Sequence, residues 1–522
     1  MTAPTKERPA HGLPEGRIAA LASRVVATSQ ESITSVSPLT GEPLATLPVS
    51  SDDDVANAFA RARKAQGEWA RVPVRERAAL LLRLHDLTFQ RQNDILDIVQ
   101  WESGKARRHA FEELCDVAMN ARYYARTAAR HLRPTRRAGM FPLLTNTVEL
   151  RHPKGVVGVI APWNYPLTMA ISDALPALVA GNAVVTKPAT QTALCALVGA
   201  ELLADAGLPA DVWQVVVGPG TRVGAALLDE ADFVCFTGST ETGRTVARRC
   251  GERLIGCTLE LGGKNPLLVL ADADLDKAAE GAVRGCFSNA GQLCISFERL
   301  YVAAPVHDAF LERFLARVRA MTVEPRFDFG ADMGSLISAQ QLATVTAHLE
   351  DAVGKGAKVL AGGQARPDLG PYFFEPTVLS GVTDAMTCFR EETFGPVVSV
   401  YRVGDDDEAV AAANDSPYGL NAAVYSRDIH RARGVAARVR AGTVNINEAY
   451  AATWGSIDSP MGGMGESGLG RRHGLEGLLK YTEAQTVAAQ RVPVAPLGGM
   501  SYDAFARAIT TGLRTLRRVG RR

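Results

Sequence analysis

The sequence predicts an α/β fold built from two parallel-sheet units, and three observations support this. Short apolar segments alternate with helix-sized segments, and they lie near residues 156–161, 183–187, 213–217, 233–237 and 258–261. A second alternating region begins at about Lys264 and continues to about Gly442. The chain has 522 residues, more than one hydrophobic core usually supports. Since strand–helix alternation produces parallel sheets covered by helices, we expect a Rossmann-like unit followed by a second α/β unit.

The elements before these units are less regular. Residues 1 to about 35 lack a strong pattern and are predicted to form a loose arm. Turn residues in the segment SPLTGE, between apolar positions of 33–48, predict two short strands. The helical spacing of apolar residues then predicts three helices, near 52–70, 74–101 and 107–131.

Composition excludes several classes of protein. Apolar residues make up 47% of the chain and charged residues 22%, which is typical of a globular protein. The 57 basic and 56 acidic residues are balanced, so no overall field favours nucleic acid. No apolar run approaches the roughly 20 residues of a spanning helix, and the polar, proline-containing start is unlike a secretory signal. Eight cysteines without a CxxC pair predict reduced thiols in a cytoplasmic protein, with no metal site.

A set of polar residues on three separated segments suggests covalent chemistry. Cys294 follows an Ala-Gly-Gln turn in the segment FSNAGQLCISFER. Glu260 ends a short apolar run before a double glycine, and Asn164 lies on a tight turn after another apolar run. A thiol nucleophile, a carboxylate that activates water and an amide donor are the groups needed to form and hydrolyse a thioester. Taken alone, each has an ordinary alternative, respectively a buried thiol, a salt-bridged carboxylate and a helix cap.

These three segments belong to a longer series of motifs. The others are TKP at 186–188, FTGS at 236–239 and EETFGP at 391–396. In order and spacing, the six motifs resemble those of the aldehyde dehydrogenase superfamily, over about residues 37–486. The resemblance implies the fold of that family, with a Rossmann-like cofactor domain, an α/β catalytic domain and a small β flap for oligomerisation. It also implies oxidation of an aldehyde to a carboxylic acid through a thiohemiacetal and a thioester on Cys294.

The resemblance assigns domain boundaries to this chain. The cofactor-binding domain is expected at 1–142 and 156–263, and the catalytic domain at 264–442. The β-prone segments 143–155 and 479–490 are expected to pair as a projecting hairpin that bridges the subunits of a homodimer or homotetramer.

Cofactor-binding residues follow from the same resemblance. There is no GxGxxG fingerprint; instead Gly238 and Ser239 open a predicted helix whose free amides suit a diphosphate. Lys187 corresponds to the residue on the adenosine ribose. Thr190 stands where NAD-selective enzymes carry glutamate, which would repel a 2′-phosphate, so NADP is the preferred cofactor, with NAD tolerated. The remaining cofactor contacts implied by the family are Glu392 on the nicotinamide ribose, Phe394 beside it and Trp163 on the cofactor path.

The substrate is less constrained by the motifs. The late motif MGGMGESGLGRR, at 461–472, has glycine and arginine where the family usually has lysine and glutamate. The chain most resembles the NADP-dependent succinate-semialdehyde dehydrogenases of actinobacteria. The arginines with which better-studied succinate-semialdehyde enzymes bind the substrate carboxylate are replaced here by Ser172 and Ser288. Either another arginine enters the pocket, or the substrate is a medium-chain or aromatic aldehyde. The predicted pocket residues suit the second case and are Tyr165, Met169, Trp454 and Ile457.

A third hypothesis is a noncatalytic binding or scaffold protein with the same fold, which the three catalytic groups oppose. The tail 491–522 extends beyond the family minimum. Apolar residues recur there every three or four positions with arginines between them, which predicts a basic amphipathic helix. Docking on the enzyme or on a partner subunit is the favoured role of this helix, with membrane-surface binding as the alternative.

Overall fold

The computed structural model of the chain describes residues 12–140 and 144–518. Its helices, in chain order, are α1 (Glu15–Ala22), α2 (Asp52–Trp69), α3 (Val74–Gln90), α4 (Gln92–Ser103), α5 (Arg107–His131), α6 (Pro166–Ile171), α7 (Ala174–Ala180), α8 (Ala193–Asp205), α9 (Ala225–Glu230), α10 (Thr240–Glu252), α11 (Leu275–Phe287), α12 (His307–Arg319), α13 (Ala339–Gly354), α14 (Thr387–Arg390), α15 (Asp406–Asn414), α16 (Ile429–Ala436), α17 (Ala451–Trp454), α18 (Gly474–Leu479) and α19 (Tyr502–Arg518).

The strands form four sheets. In chain order they are β1 (Ser32–Val36), β2 (Pro43–Pro48), β3 (Thr135–Arg137), β4 (Thr145–Pro153), β5 (Val156–Ala161), β6 (Ala183–Pro188), β7 (Trp213–Val215), β8 (Phe233–Thr237), β9 (Gly256–Glu260), β10 (Asn265–Val269), β11 (Phe297–Ala303), β12 (Lys358–Ala361), β13 (Thr377–Ser380), β14 (Val397–Val403), β15 (Asn421–Tyr425), β16 (Thr443–Ile446), β17 (Gly468–Leu469) and β18 (Thr482–Gln490).

The first large sheet has six strands in the order β17-β9-β8-β5-β6-β7. All neighbours are parallel except the short β17, which pairs antiparallel with β9. The order reverses direction between β5 and β8, because the chain first builds β6 and β7 on one side of β5 and then returns to the other. In such sheets ligands bind in the crevice beyond the carboxyl ends of the strands at the reversal.

The second large sheet has seven strands in the order β12-β13-β14-β11-β10-β15-β16, parallel except for the β12–β13 pair. Its strands β10, β11 and β15 are buried throughout, and β10 and β15 are apolar after their first residue, as expected of strands covered on both faces. Both large sheets confirm the predicted α/β fold. Strand β16 continues the second sheet past residue 442, and β17 returns to the first sheet.

The third sheet has the order β18-β4-β3. Strands β4 and β18 pair antiparallel over their whole lengths, from Thr145 opposite Gln490 to Pro153 opposite Thr482. This confirms that the two predicted β-prone segments pair with each other. Nearly all of β18 is exposed, so one edge of this sheet faces solvent in the single chain.

Two predictions about the amino-terminal region are wrong. The predicted loose arm contains helix α1, in which Leu21 is fully buried and α1 packs against α8; residues 1–11 lie outside the described part of the chain. The helix predicted at 74–101 is two helices, α3 and α4, because the chain bends at Arg91. The Arg91 guanidinium bonds to Glu201 and Asp205 of α8, and these tertiary contacts cannot be read from helical periodicity.

The carboxyl-terminal tail contains the predicted basic amphipathic helix, as α19. Its apolar side chains are mostly accessible, with Tyr502 and Leu513 more than half exposed. Arginines 507, 514, 517 and 518 lie on the same helix, and residues 519–522 lie outside the described part. In the segments 12–140 and 144–518, no helix has both the length and the apolar character needed to cross a membrane.

Candidate active site

Two adjoining cavities lie at the switch point of the six-stranded sheet. The larger has a volume of about 230 Å³ and the smaller about 30 Å³. Six residues line both cavities: Tyr165, Met169, Thr237, Glu260, Leu293 and Cys294. Molecules bound in the two cavities would therefore lie on either side of Cys294, whose thiol can take part in a reaction between them.

A strained turn positions Cys294. The residues before it form a 3-10 turn in which Asn289 and Ala290 have positive φ angles of 51° and 55°. The Asn289 amide compensates by donating to the carbonyl oxygens of Asn164 and Gln292. The Cys294 carbonyl oxygen accepts from Asn265 Nδ2 at 2.8 Å, which fixes the chain on the other side of the sulfur. A backbone held from both sides is suited to presenting a reactive group in one orientation.

Asn164 lies beside this turn, as predicted. Its side chain is buried, and Nδ2 donates to the Gln292 carbonyl oxygen at 3.1 Å, two residues before Cys294. Each amide NH₂ group has a second hydrogen, and the Asn164 side chain lines the larger cavity beside Cys294. This arrangement suits stabilisation of an oxyanion formed on a carbon attached to the Cys294 sulfur.

Glu260 is at the carboxyl end of β9 and is 7% exposed. Burial raises the pKa of its carboxyl to about 7, and the charge of Arg472 opposes this rise. Among the described residues, its Oε1 atom has no hydrogen-bond partner. A carboxyl that lines the cavity and changes protonation state near neutral pH can act as a general base toward water.

The thiol itself is held in its neutral form. Burial and the negative charges of Glu260 and Glu392 raise the pKa of Cys294 to about 12. The thiolate is the reactive form, so the reaction needs a proton acceptor or a nearby positive charge. Glu260 lines the same cavities and supplies such an acceptor.

The larger cavity reaches the start of α10. Gly238 and Ser239 both line it, and Ser239 caps the helix by accepting from the Thr242 amide. A side chain at position 238 would place Cβ 2.6 Å from the Phe236 ring, so only glycine fits this turn. The first amides of α10 are free to bind an anion there, which fits the diphosphate of a dinucleotide.

The other side of the larger cavity is aromatic and acidic. Trp163 and Phe394 contact edge to face, with ring centroids 5.4 Å apart. Glu392 Oε1 accepts from the Gly263 amide at 2.9 Å. A Cβ at Gly262 would lie 2.4 Å from Glu392 Oε2, so the double glycine allows this carboxylate to approach the backbone. Three of the predicted cofactor residues, Trp163, Phe394 and Glu392, therefore line the same cavity as Cys294.

Lys187 and Thr190 lie near the same sheet edge but line neither cavity. Lys187 is buried at the end of β6, where Nζ donates to the Pro188 carbonyl oxygen and burial lowers the pKa to about 8. Thr190 Oγ1 donates to the Gly218 carbonyl oxygen at 3.1 Å. Both carry neutral or positive groups, which suits a phosphorylated ribose better than a carboxylate would.

The smaller cavity contains three of the four predicted substrate residues. Tyr165, Met169 and Trp454 line it, whereas Ile457 does not. Ile457 instead lines a separate surface cavity beside Tyr123 and Asp458, because the chain turns away after α17. Gly455 and Ser456, between Trp454 and Ile457, are the sequence signal of this turn.

Ser172 and Ser288 are both occupied by protein partners. Ser172 Oγ donates to Asp116 Oδ2 at 2.5 Å, and Ser288 Oγ hydrogen-bonds with the Tyr450 hydroxyl at 2.8 Å. Tyr450 also donates to Glu112, whose carboxyl lines the smaller cavity. Burial raises the pKa of Glu112, which favours its neutral form.

Sequence reasoning missed Glu112 and Arg472, which both line the smaller cavity. Glu112 gave no signal, since it lies in the predicted helix 107–131 among other polar residues. Arg472 did give one, because it departs from the family motif. Its side chain brings an arginine to the smaller cavity, beside Cys294 and Glu260.

Two buried ion pairs that support the site were also missed. Lys264 pairs with Glu298, which accepts from the amides of Thr393 and Phe394 and so ties three of the motifs together. Lys105 pairs with Glu113 and donates to the Asn164 carbonyl oxygen at 2.7 Å. Lys264 follows the double glycine after Glu260, and Glu298 lies in the segment that contains Cys294. Their charges were the available signal.

Metal-binding groups give no competing site. Within the described part of the chain, no group of three or more His, Cys, Asp and Glu side chains could hold a metal ion.

Comparison with known proteins gives one family. The model of the aldehyde dehydrogenase family matches residues 25–487. A Mycolicibacterium smegmatis protein named as a putative succinate-semialdehyde dehydrogenase for NADP(+) is 54% identical, over 92% of this chain and 93% of its own. A Pseudomonas putida protein named glutarate-semialdehyde dehydrogenase is 37% identical, over 88% of this chain and 94% of its own.

Solved structures agree with these relatives. An NADP-dependent enzyme of E. coli superposes with a TM-score of 0.85 at 35% identity, covering 89% of this chain and 96% of that one. An NAD-dependent aldehyde dehydrogenase of Sinorhizobium meliloti superposes with a TM-score of 0.86 at 37% identity, covering 91% and 94%.

Proposed function

Because the chain belongs to the aldehyde dehydrogenase family, we propose that it oxidises succinate semialdehyde to succinate and that NADP is its preferred cofactor. The observation that carries the proposal is the position of Cys294, Glu260 and Asn164 around one cavity at the sheet's switch point. The names of the relatives support a short semialdehyde with a terminal carboxylate.

The proposed reaction begins at the sulfur. With Glu260 accepting the thiol proton, Cys294 attacks the aldehyde carbon to form a thiohemiacetal. The Asn164 amide and the Cys294 backbone amide stabilise its oxyanion, at about 3 kcal/mol per donor. A bound nicotinamide dinucleotide supplies the hydride acceptor, and the crevice residues Gly238, Ser239 and Glu392 would hold it. Glu260 then releases the thiol proton to solvent, and its ionised carboxylate deprotonates the water that hydrolyses the resulting thioester.

The lining of the smaller cavity bears on the choice of substrate. Its walls include the bulky side chains of Tyr165, Met169 and Trp454. The Arg284 guanidinium lies 5.0 Å from the Tyr450 ring centroid, and its charge is already paired with Glu112 at 3.6 Å and Glu448 at 3.3 Å. Burial raises the pKa of Glu112, which weakens the repulsion that a carboxylate substrate would meet there.

The alternative is a medium-chain or aromatic aldehyde, which the apolar lining of the smaller cavity favours. Comparing kcat/KM for succinate semialdehyde, hexanal and benzaldehyde, with NADP and with NAD, tests the two. We expect succinate semialdehyde with NADP to exceed the uncharged aldehydes at least about tenfold, since one charge-assisted bond contributes about 1.5–3 kcal/mol. Higher kcat/KM for hexanal or benzaldehyde would replace the proposed substrate with the alternative.

Replacing Thr190 with glutamate is expected to reverse the cofactor preference. A carboxylate at this position would repel the 2′-phosphate of NADP but not the hydroxyl of NAD, and like charges in contact cost several kcal/mol. The ratio of kcat/KM for NADP to that for NAD should fall by about a hundredfold or more. Thr190→Gln, which has similar size without charge, is the control. If both variants keep the wild-type ratio, Thr190 does not determine the preference.

The proposal includes a cytoplasmic homodimer or homotetramer. The exposed edge of β18 supports assembly through the β4–β18 hairpin, and the accessible apolar face of α19 supports docking of the tail on a partner subunit. Sedimentation velocity of the chain truncated after Arg491 should show weaker assembly than the full chain. If assembly is unchanged while flotation with anionic liposomes is lost, the tail binds membranes instead.

A further inference from the structure

Arg472 is a buried cation that the reaction described above does not use. It is 5% exposed, and its backbone pairs with Met461 in an isolated bridge next to β17. The side chain lines the smaller cavity together with Cys294 and Glu260. A guanidinium is retained in such a place only when nearby negative groups compensate for its lost hydration.

The protein provides only part of the hydrogen bonding that the Arg472 guanidinium can make. Nε lies 3.2 Å from Asp173 Oδ1, yet within the described part of the chain it makes no aligned hydrogen bond. Nη1 is 3.1 Å from the Met169 thioether sulfur, which is a weak acceptor. Asp173 therefore balances part of the charge without accepting an aligned hydrogen bond from Nε.

The Glu260 carboxylate also lacks a hydrogen bond. Its buried Oε1 has no hydrogen-bond partner among the residues that the structure describes. A Cβ built on Gly462 would lie 3.1 Å from this oxygen, so the carboxylate points at the segment that follows Met461. Glu260 pairs with Gly468 of β17, which lies between Met461 and Arg472 in the chain, so the segment that carries the guanidinium lies against the strand that carries the carboxylate.

Five groups decide the charge state of Glu260. Arg472, Lys480 and Arg471 favour its ionised form, Asp173 opposes it, and the Cys294 thiol is neutral in the resting enzyme. Of the three cations, Arg472 has the largest effect and is the most deeply buried, so its charge is the least screened by water.

We propose that Arg472 is a positioning residue for the hydrolytic half of the reaction: its guanidinium keeps Glu260 ionised beside the thioester and so sets the pH above which the acyl-enzyme is hydrolysed. The inference rests on the proposed function, because it concerns the same thioester. It does not depend on which aldehyde forms that thioester.

The step that Arg472 supports is balanced as follows. The oxygen of a water molecule bonds to the thioester carbonyl carbon, while Glu260 accepts one proton from that water. The carbon–sulfur bond then breaks with its electron pair on sulfur, which releases the carboxylic acid. The proton on Glu260 returns to the sulfur, which regenerates the neutral thiol and the ionised base.

The test measures hydrolysis of the acyl-enzyme against pH, after a single turnover with NADP and either succinate semialdehyde or butanal. In the wild type the rate should rise with pH through about 7, the pKa of Glu260. Arg472→Gln removes a positive charge and should move this rise to higher pH by about one unit or more. Asp173→Asn removes a negative charge and should move it to lower pH. Arg472→Lys should restore most of the wild-type profile, and Arg471→Gln should move it less.

Opposite shifts in Arg472→Gln and Asp173→Asn cannot arise from a general folding defect. If Arg472→Gln does not fold, the double variant Arg472→Gln/Asp173→Asn removes the buried pair without leaving one charge alone. The inference is overturned if both profiles keep the wild-type midpoint, or if Arg472→Gln only raises KM for succinate semialdehyde and leaves butanal unaffected. A wild type that forms no NADPH from either aldehyde would instead contradict the proposed function.

Discussion

Replacing Cys294 with alanine is expected to lower aldehyde-dependent NADPH formation at least about a thousandfold, because the covalent intermediate cannot form. The substitution removes only the sulfur and leaves the crevice residues in place, so NADP should bind with nearly unchanged affinity. Initial-rate fluorescence of NADPH and a binding titration of NADP measure the two quantities separately.

Cys115 provides the matched control for this variant. Its thiol is also partly exposed, but it lies on α5 and lines neither cavity. Cys115→Ala should therefore retain wild-type turnover within about twofold. Substantial NADPH formation by Cys294→Ala would show that another group attacks the aldehyde.

Replacing Glu260 with glutamine is expected to separate the two halves of the reaction. Hydride transfer should still give about one equivalent of NADPH per active site, although formation of the thiolate is slower. Hydrolysis should then fall by about 10²–10⁴-fold, since the general base is lost. Rapid-mixing fluorescence would show a burst followed by a very slow steady phase.

Glu252→Gln makes the same chemical change at an exposed carboxylate of α10, outside both cavities, and should behave as the wild type. A Glu260→Gln enzyme with an unchanged steady phase would require a different base. The absence of any burst would mean that Glu260 is needed before hydride transfer, as acceptor of the thiol proton alone.

Much of the fold could be predicted because local signals agreed with the tertiary structure. The aspartates that open α2 illustrate this, since Ser51 and Asp54 form a reciprocal capping box and Val55 and Phe59 are fully buried. The strands of the large sheets are buried on both faces, so an apolar run was a sufficient signal. The break at Arg91 was missed because its cause is a contact with α8, far away in sequence.

The catalytic residues were easier to predict than the pocket. Cys294 and Glu260 lie in motifs with glycines that the close approach of the backbone requires, at Gly291 and Gly263, and Asn164 lies on a turn after an apolar run. The smaller cavity, in contrast, is assembled from separate segments that contribute one or two side chains each. Ile457 was predicted from its position near Trp454, yet one turn of chain places it in another cavity.

The ion pairs near the site could not be predicted from the sequence. The replacement of the family's glutamate by Arg472 was visible, but the compensating Asp173 lies 299 positions earlier in the chain. Only the folded structure brings the two within 3.2 Å and turns both toward Glu260. The same holds for Lys264 and Glu298, whose pairing connects motifs that the sequence presents separately.

Mass spectrometry of Glu260→Gln after mixing with succinate semialdehyde and NADP tests the covalent intermediate most directly. The enzyme should carry one acyl group per chain, located on the peptide that contains Cys294, in an amount equal to the NADPH burst. A burst without any adduct, or an adduct on another cysteine, would contradict the assignment of Cys294 as the nucleophile.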